Sequence, residues 1–297
     1  MLESVALPII KYALSEDVGT GDITTLNAVP SGVNARAAIV AKEPGVLAGL
    51  DVARLTFREA SPALKFRALA ADGDVLSPGA AVAQVVGDIG GILKAERTAL
   101  NFLQHLSGVA TLTRRFVEEI AGTGAVILDT RKTTPGLRFL EKFAVKSGGG
   151  ENHRLALWDM YLVKDNHIRA AGGIPAAVDR IARTRQGDVL LEVEVESLDQ
   201  LTDALRPEVD RILVDNRTPD EVKRAVEAVD RWCAQHPSDS PRRRAGARRW
   251  PEVEVSGGIT LATARAYAET GADYLSVGAL THSAPALNLS LEIEDVG

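Results

Sequence analysis

Three short runs decide the fold: Arg211-Ile212-Leu213-Val214-Asp215, Glu252-Val253-Glu254-Val255 leading into Ser256-Gly257-Gly258-Ile259-Thr260, and Asp273-Tyr274-Leu275-Ser276-Val277 leading into Gly278-Ala279. Each is a β-branched or apolar run that ends in a polar or glycine cluster and passes into a helix-like segment. The same unit recurs upstream at Ala125–Leu128, Met160–Val163 and Val189–Val195. Short apolar strands alternating with amphipathic helices predict parallel β-α units. Ser197-Leu198-Asp199-Gln200 and Thr218-Pro219-Asp220-Glu221 read as capping boxes, and Gly271 ends the helix that begins near Thr260. Six units with polar residues at each carboxyl end point to an α/β barrel, closed or nearly so, in which catalytic groups sit at that end. An open doubly wound sheet is the competing architecture.

Residues before about Ser107 follow another rhythm. Ala37–Ala41, Gly45–Ala48, Lys65–Ala70 and Ala80–Val86 are strand candidates separated by Glu-Pro-Gly, Asp-Gly-Asp and Ser-Pro-Gly turns. They predict a separate N-terminal α/β sandwich domain. The turn at Asp72-Gly73-Asp74 has the rhythm of a carrier module but lacks the exposed lysine one needs. A long helix from Leu93 to Gly108 joins the two parts, and spacing alone favours an intrahelical ion pair for Arg97 over a site role.

Composition excludes several classes. The 297 residues are 45% hydrophobic and 25% charged, with net charge −6, so general attraction to nucleic acid or membrane surfaces is not favoured. No apolar run is long enough to span a membrane, and no secretion signal opens the chain. The single Cys233 precludes an internal disulfide and fits a reducing cytoplasm.

The cations are therefore local. Arg131 and Lys132, His153 and Arg154, and Lys164 lie in three loops between Asp129 and His167. Like charges gathered in one pocket repel and lose hydration, so such a site expects a multiply anionic substrate. The loops Ser256-Gly257-Gly258 and Gly278-Ala279-Leu280 suit a phosphate, because glycine lets backbone N–H groups approach it. Glu192, Glu194 and Glu196 alternate along one strand and Asp215 ends the next, so the three glutamates share a face. They either hold Mg²⁺ through water and orient ribose hydroxyls or pair with Lys132 or Lys164. His153 reads as functional, His167 equally as a strand-end cap, and His105, His236 and His282 as structural. Arg242-Arg243-Arg244 and Arg248-Arg249 fall in Pro237–Pro251, a polar stretch read as a solvated loop.

Seven segments in chain order carry a family resemblance: Glu16–Thr24, Glu96–Asn101, Asp129–Thr133, Gly149–Arg154, Lys164–His167, Glu192–Val195 and Ser256–Ile259. Together they resemble the quinolinate phosphoribosyltransferases. The resemblance implies a sandwich over residues 1–107, to which residues 284–297 return, and an incomplete α/β barrel over 108–283. It implies transfer from phosphoribosyl pyrophosphate to quinolinate, giving nicotinate mononucleotide, CO2 and pyrophosphate with Mg²⁺. It assigns Thr130, Arg131, Lys132, His153, Arg154 and Lys164 to the substrate pocket, with Arg97 arriving from the other subunit of a homodimer. Glu194 and Asp215 fall near ribose and metal, and Ser256, Gly257, Gly258, Gly278 and Ala279 at the 5′-phosphate. Lys132, Lys164, Glu194 and Asp215 are the expected catalytic groups. The segment between Asp230 and Pro251 exceeds the family's usual length and is expected to be a surface insertion. The rival readings are a Schiff-base aldolase using Lys164 or Lys132, a polyanion-binding protein using the arginine loop, and a related transferase for another ring acid.

Overall fold

A computed structural model describes residues 2–237 and 247–297. In chain order the elements are α1 (Leu2–Val18), α2 (Ile23–Ala28), β1 (Asn34–Ala41), β2 (Gly45–Val46), α3 (Leu50–Ala60), β3 (Lys65–Ala68), β4 (Val75–Leu76), β5 (Ala81–Asp88) and α4 (Ile89–Glu119). Then follow β6 (Val126–Leu128), α5 (Arg138–Ser147), β7 (Tyr161–Val163), α6 (Asp165–Ala171), α7 (Ile174–Thr184), β8 (Leu191–Val195) and α8 (Leu198–Ala204). The last are β9 (Arg211–Asp215), α9 (Pro219–Gln235), β10 (Glu252–Ser256), α10 (Leu261–Ala268), β11 (Tyr274–Ser276), α11 (Ala279–His282) and β12 (Leu289–Val296). They divide into two compact units. One comprises Met1–Arg114, Lys132–Gly150 and Ala279–Gly297, the other Arg115–Arg131 and Glu151–Gly278.

The first unit is built on an antiparallel sheet in the order β12-β1-β5-β3. β1 alternates exposed Asn34 and Arg36 with buried Ala35 and Ala37, the period expected of a strand with one covered face. That face packs Ile39, Val82 and Val85 against Phe57 of α3 and Leu100 and Leu103 of α4. The final strand pairs along β1, with Ala35 opposite Val296 and Ala41 opposite Leu289. Asp72 accepts from the Leu50 amide at 3.0 Å and Asp74 from Ala71 at 2.8 Å, so the Asp-Gly-Asp turn serves structure.

In the second unit six strands form a parallel sheet in the order β6-β11-β10-β9-β8-β7. From β7 to β11 each strand lies beside its successor, and the last pairs with the first, β11 with β6. A doubly wound sheet reverses direction at a switch point. This one never reverses, and its first strand sits where ring closure puts it. It is an incomplete barrel, open between β6 and β7. The Thr218 capping box forms in full, Glu221 Oε2 accepting from the Thr218 amide at 2.8 Å. That at Ser197 forms only by half, because Gln200 turns to the Glu196 amide.

The amino ends of the strands are tied by aspartates. Asp210 accepts from the Leu191 amide at 2.7 Å and Asp273 from the Val253 amide at 2.9 Å, each reaching back one strand. Each carboxylate also meets a buried arginine: Arg185 at Asp210, and Arg249 at Asp273, 3.3 Å away. Arg249 further pairs with Asp230 at 3.1 Å, and Arg248 donates to the Gly271 carbonyl at 2.6 Å. This corrects the reading of Arg249 as part of a solvated loop, while Arg248 is exposed as expected. Arg242-Arg243-Arg244 lie outside the described residues.

Removing one partner of a buried pair strands the other charge, at about 3–5 kcal/mol. Asp273→Ala is expected to cost about 3 kcal/mol in urea unfolding, since Asp230 still faces Arg249. A loss below about 1 kcal/mol would contradict the tie.

Candidate active site

Parallel register brings the chemistry-bearing residues of the second unit to one rim. Leu128, Ser276, Ser256 and Asp215 stand level across β6, β11, β10 and β9. Asp129, Thr130 and Arg131 follow β6, Lys164 follows β7, Glu194 lies near the end of β8, and Gly278 comes just after β11. The loop carrying His153 and Arg154 joins the same rim through a bridge between Glu151 and Leu128. Buried Asp129 fixes it further by accepting from the His153 amide at 2.9 Å.

Beneath this rim the barrel interior is charged rather than aliphatic. Both side chains at the amino and middle positions of β10, Glu252 and Glu254, are buried, as is Glu192 of β8. Nε2 of His153 lies 2.9 Å from Glu192 Oε2 and 3.3 Å from Glu254 Oε1. Glu254 Oε2 accepts from Arg211 Nη1 at 2.9 Å, and its other oxygen accepts from Ser276 Oγ. Arg211 stacks 4.0 Å over the Tyr274 ring, whose hydroxyl donates to Glu252 at 3.1 Å. His153, Glu192 and Glu254 bring their ligand atoms within 4.8 Å of one another, a spacing open to a metal ion. Arg211 already supplies the cation there, so the group reads as an ion-pair network.

The network sets the charge of its members. Burial alone lowers the His153 imidazole, but the charges of Glu254 and Glu192 outweigh it and carry it up to about 10. The Arg154 amide lies 2.8 Å from Nδ1, a contact the second ring proton displaces. Two buried carboxylates outweigh that one amide bond, worth about 1 kcal/mol net. Burial, then the Glu254 charge, push Glu192 up, while Glu254 is held well down by His153 and Arg211 against its own burial. Above them, Arg154 is lowered by burial and next by the Arg131 charge, and raised in part by Glu192. The Arg131 charge thus bears on Arg154 at the rim, with the buried Glu192 as counter-charge.

The remaining rim groups are ordered too. Lys164 Nζ is ion-paired with Glu194, and Asp215 accepts from Asn216 Nδ2 at 2.7 Å. Gly257 has φ +94°, and a Cβ there would fall 2.1 Å from Asn216 Oδ1, so only glycine closes this turn.

Comparison with known proteins then decides the family. Residues 22–107 match the family described as quinolinate phosphoribosyl transferase, N-terminal domain, and residues 109–292 its C-terminal domain. The chain belongs to the quinolinate phosphoribosyltransferase family. It is 43% identical over 289 residues to the carboxylating nicotinate-nucleotide pyrophosphorylase of Mycobacterium leprae, covering 96% of this chain and 95% of that one. It is 39% identical to the chloroplastic counterpart of Oryza sativa over 96% of this chain and 77% of that. Among solved structures, the nicotinate-nucleotide pyrophosphorylase of Francisella tularensis superposes with TM-score 0.89 at 34% identity, over 99% and 98% of the chains. The NadC structure of Streptococcus pyogenes gives 0.88 at 35%, over 100% and 98%.

For a chain of this family, Thr130, Arg131, His153, Arg154, Lys164, Glu194, Asp215, Ser256, Gly257, Gly258 and Gly278 all fall in the second unit. His153 is turned inward and buried, facing the glutamates. Glu196 is exposed beyond the end of β8, apart from Glu192 and Glu194, because the strand stops at Val195. His167 caps, its Nδ1 accepting from the Lys164 amide at 3.0 Å. Arg97, Lys132 and Ala279 lie in the first unit. There Thr281 Oγ1 donates to the Lys132 carbonyl at 2.7 Å, and Glu141 joins His105 at 2.8 Å to the Thr134 amide at 3.0 Å. Arg97 is exposed and has no ion pair among the described residues, so the expected intrahelical pair does not form. The sequence reading missed Asp129, Arg211, Glu254 and Ser276. Its available signal was the Glu252/Glu254 alternation, which repeats that of Glu192/Glu194 two strands over.

A histidine raised from 6.5 to about 10 stabilises the fold fully below pH 6.5 and ceases to as pH climbs through 10. Unfolding free energy is therefore expected to fall by a few kcal/mol between pH 6.5 and 10, and less so in His153→Asn. Parallel pH profiles for the two proteins would contradict the raised imidazole.

Proposed function

We propose that this chain transfers the phosphoribosyl group of phosphoribosyl pyrophosphate to quinolinate, with loss of one carboxylate, giving nicotinate mononucleotide, CO2 and pyrophosphate. The observation that carries the reading is the close pair Arg131 and Arg154, on the same rim as the Ser256-Gly257-Gly258 turn. A ring with two adjacent carboxylates repays the repulsion of paired guanidiniums, and bidentate contacts fix its plane. In this reading Thr130, Arg131, Arg154 and Lys164 meet quinolinate, with His153 supporting them. Ser256, Gly257, Gly258 and Gly278 hold the 5′-phosphate. Lys132, Ala279 and, from a second copy in a homodimer, Arg97 complete the set on the family resemblance alone.

The steps follow from placement. The ring nitrogen attacks C1 of the ribose as the bond to pyrophosphate breaks, through a state with positive charge on the sugar. Glu194 and Asp215, at the ends of neighbouring strands, face that charge and the ribose hydroxyls. Bond formation leaves the ring nitrogen positive. When the carboxylate beside it departs as CO2, the electron pair stays on the ring carbon, stabilised by that nitrogen, and a proton completes the product. Lys164, ion-paired to Glu194, is the cation best placed to hold the carboxylate through this change.

Glu194 and Asp215 also fit Mg²⁺. Both are hard oxygen donors, already engaged by Lys164 and Asn216. That engagement suits contact through water together with phosphate oxygens, the habit of this ion. When bound, Mg²⁺ offsets the charge of departing pyrophosphate. The same ion pair weakens the Schiff-base reading, which needs a free amine at Lys164.

Incubation with both substrates and Mg²⁺ is expected to yield nicotinate mononucleotide, and nicotinate offered in place of quinolinate is expected to fail. Equal turnover of nicotinate would overturn the proposal. Arg154→Ala should lower kcat/KM for quinolinate by about 2 kcal/mol or more, roughly 30-fold. The connection from α9 to β10 leaves and re-enters at the amino ends of the strands, opposite the rim. Replacing residues 238–246 by a short glycine-serine link is therefore expected to keep kcat/KM within about threefold, and a loss of activity with the fold retained would contradict that.

A further inference from the structure

Barrel interiors are ordinarily filled by Val, Ile and Leu. Here three strands converge polar groups on a single acid. Glu254 of β10 is fully buried and receives Arg211 from β9 and Ser276 from β11, and its remaining reach goes to His153. Arg211 is itself held over the Tyr274 ring. His153 belongs to no strand. Its loop is bridged to the sheet at Glu151, its amide donates to Asp129, and its ring faces both Glu254 and Glu192, contacts that orient it. Arg154 is the next residue. A buried ionic group of this size adds little stability over an apolar filling of equal volume, which points to a role in fixing geometry.

We propose that Glu254 is a positioning residue: seated by Arg211 and Ser276, it holds His153, and through it the Arg154 corner that meets the ring carboxylates. The inference rests on the functional reading above and adds to it a line of support running from β10 and β11 to the carboxylate half of the pocket. The phosphoribosyl half, built on the turn two residues after Glu254, is supported separately by Asn216 packed against Gly257.

The test is a double-mutant cycle read in two Michaelis constants. Glu254→Gln keeps the shape and removes the charge. It is expected to raise KM for quinolinate about tenfold while leaving KM for phosphoribosyl pyrophosphate within about twofold. Combined with His153→Asn it should add almost nothing further, because its effect runs through that ring. Ser276→Ala, which removes one hydrogen bond to the same carboxylate, should show the same pattern at about threefold, and carries the cycle if Glu254→Gln does not fold. An active wild type in which the two substitutions multiply, or in which both Michaelis constants move together, would overturn this inference alone. A wild type inert toward quinolinate would overturn the functional reading and this one with it.

Discussion

Cations do not gather in a folded protein without counter-charge, and the second unit is arranged around that constraint. Arg131 stands near enough for its charge to lower Arg154, and the buried acids Glu192 and Glu254 lie beneath. His153 is the coupling between the two layers. Its ring is sunk among the carboxylates while its backbone leads straight into Arg154. The rim can hold its positive charges apart from substrate because the interior carries negative charge of its own, partly neutralised by Arg211.

The winding of the sheet makes that layering possible. Since β7 through β11 succeed one another without reversal and β11 meets β6, every strand delivers its carboxyl end to the same side. Side chains two residues apart then occupy successive levels along one strand: Glu192 below Glu194 on β8, and Glu254 below Ser256 on β10. The amino ends carry a different chemistry, the aspartate ties of Asp210 and Asp273 with their arginines. Reaction groups and stability groups thus sit at opposite ends of the same strands. No helix among the described residues is long and apolar enough to cross a membrane.

Much of this was legible in the residues. The six parallel strands fall where the apolar runs and polar ends put them, because the β-α rhythm is a local signal. The rim residues were legible as motifs for the same reason. What stayed hidden was set by distant partners. Glu254 finds Arg211 and His153 only after folding, and a two-residue alternation does not say which acids meet. Arg249 looked like one more exposed arginine until Asp230 and Asp273 closed on it. The joining helix α4 runs from Ile89 to Glu119, well past the expected ends at Leu93 and Gly108, with Gly90, Gly91 and Gly108 inside it. Where α4 crosses the chain near Pro285 a Cβ on Gly108 would meet that carbonyl at 2.1 Å, so this glycine serves a close approach.

The most direct measurement follows the carboxylate that the rim is proposed to hold. Quinolinate labelled with carbon-13 in the carboxylate next to the ring nitrogen, mixed with phosphoribosyl pyrophosphate and Mg²⁺, should release one labelled CO2 for every nicotinate mononucleotide formed. Label retained in the product, or CO2 released without consumption of phosphoribosyl pyrophosphate, would contradict the account.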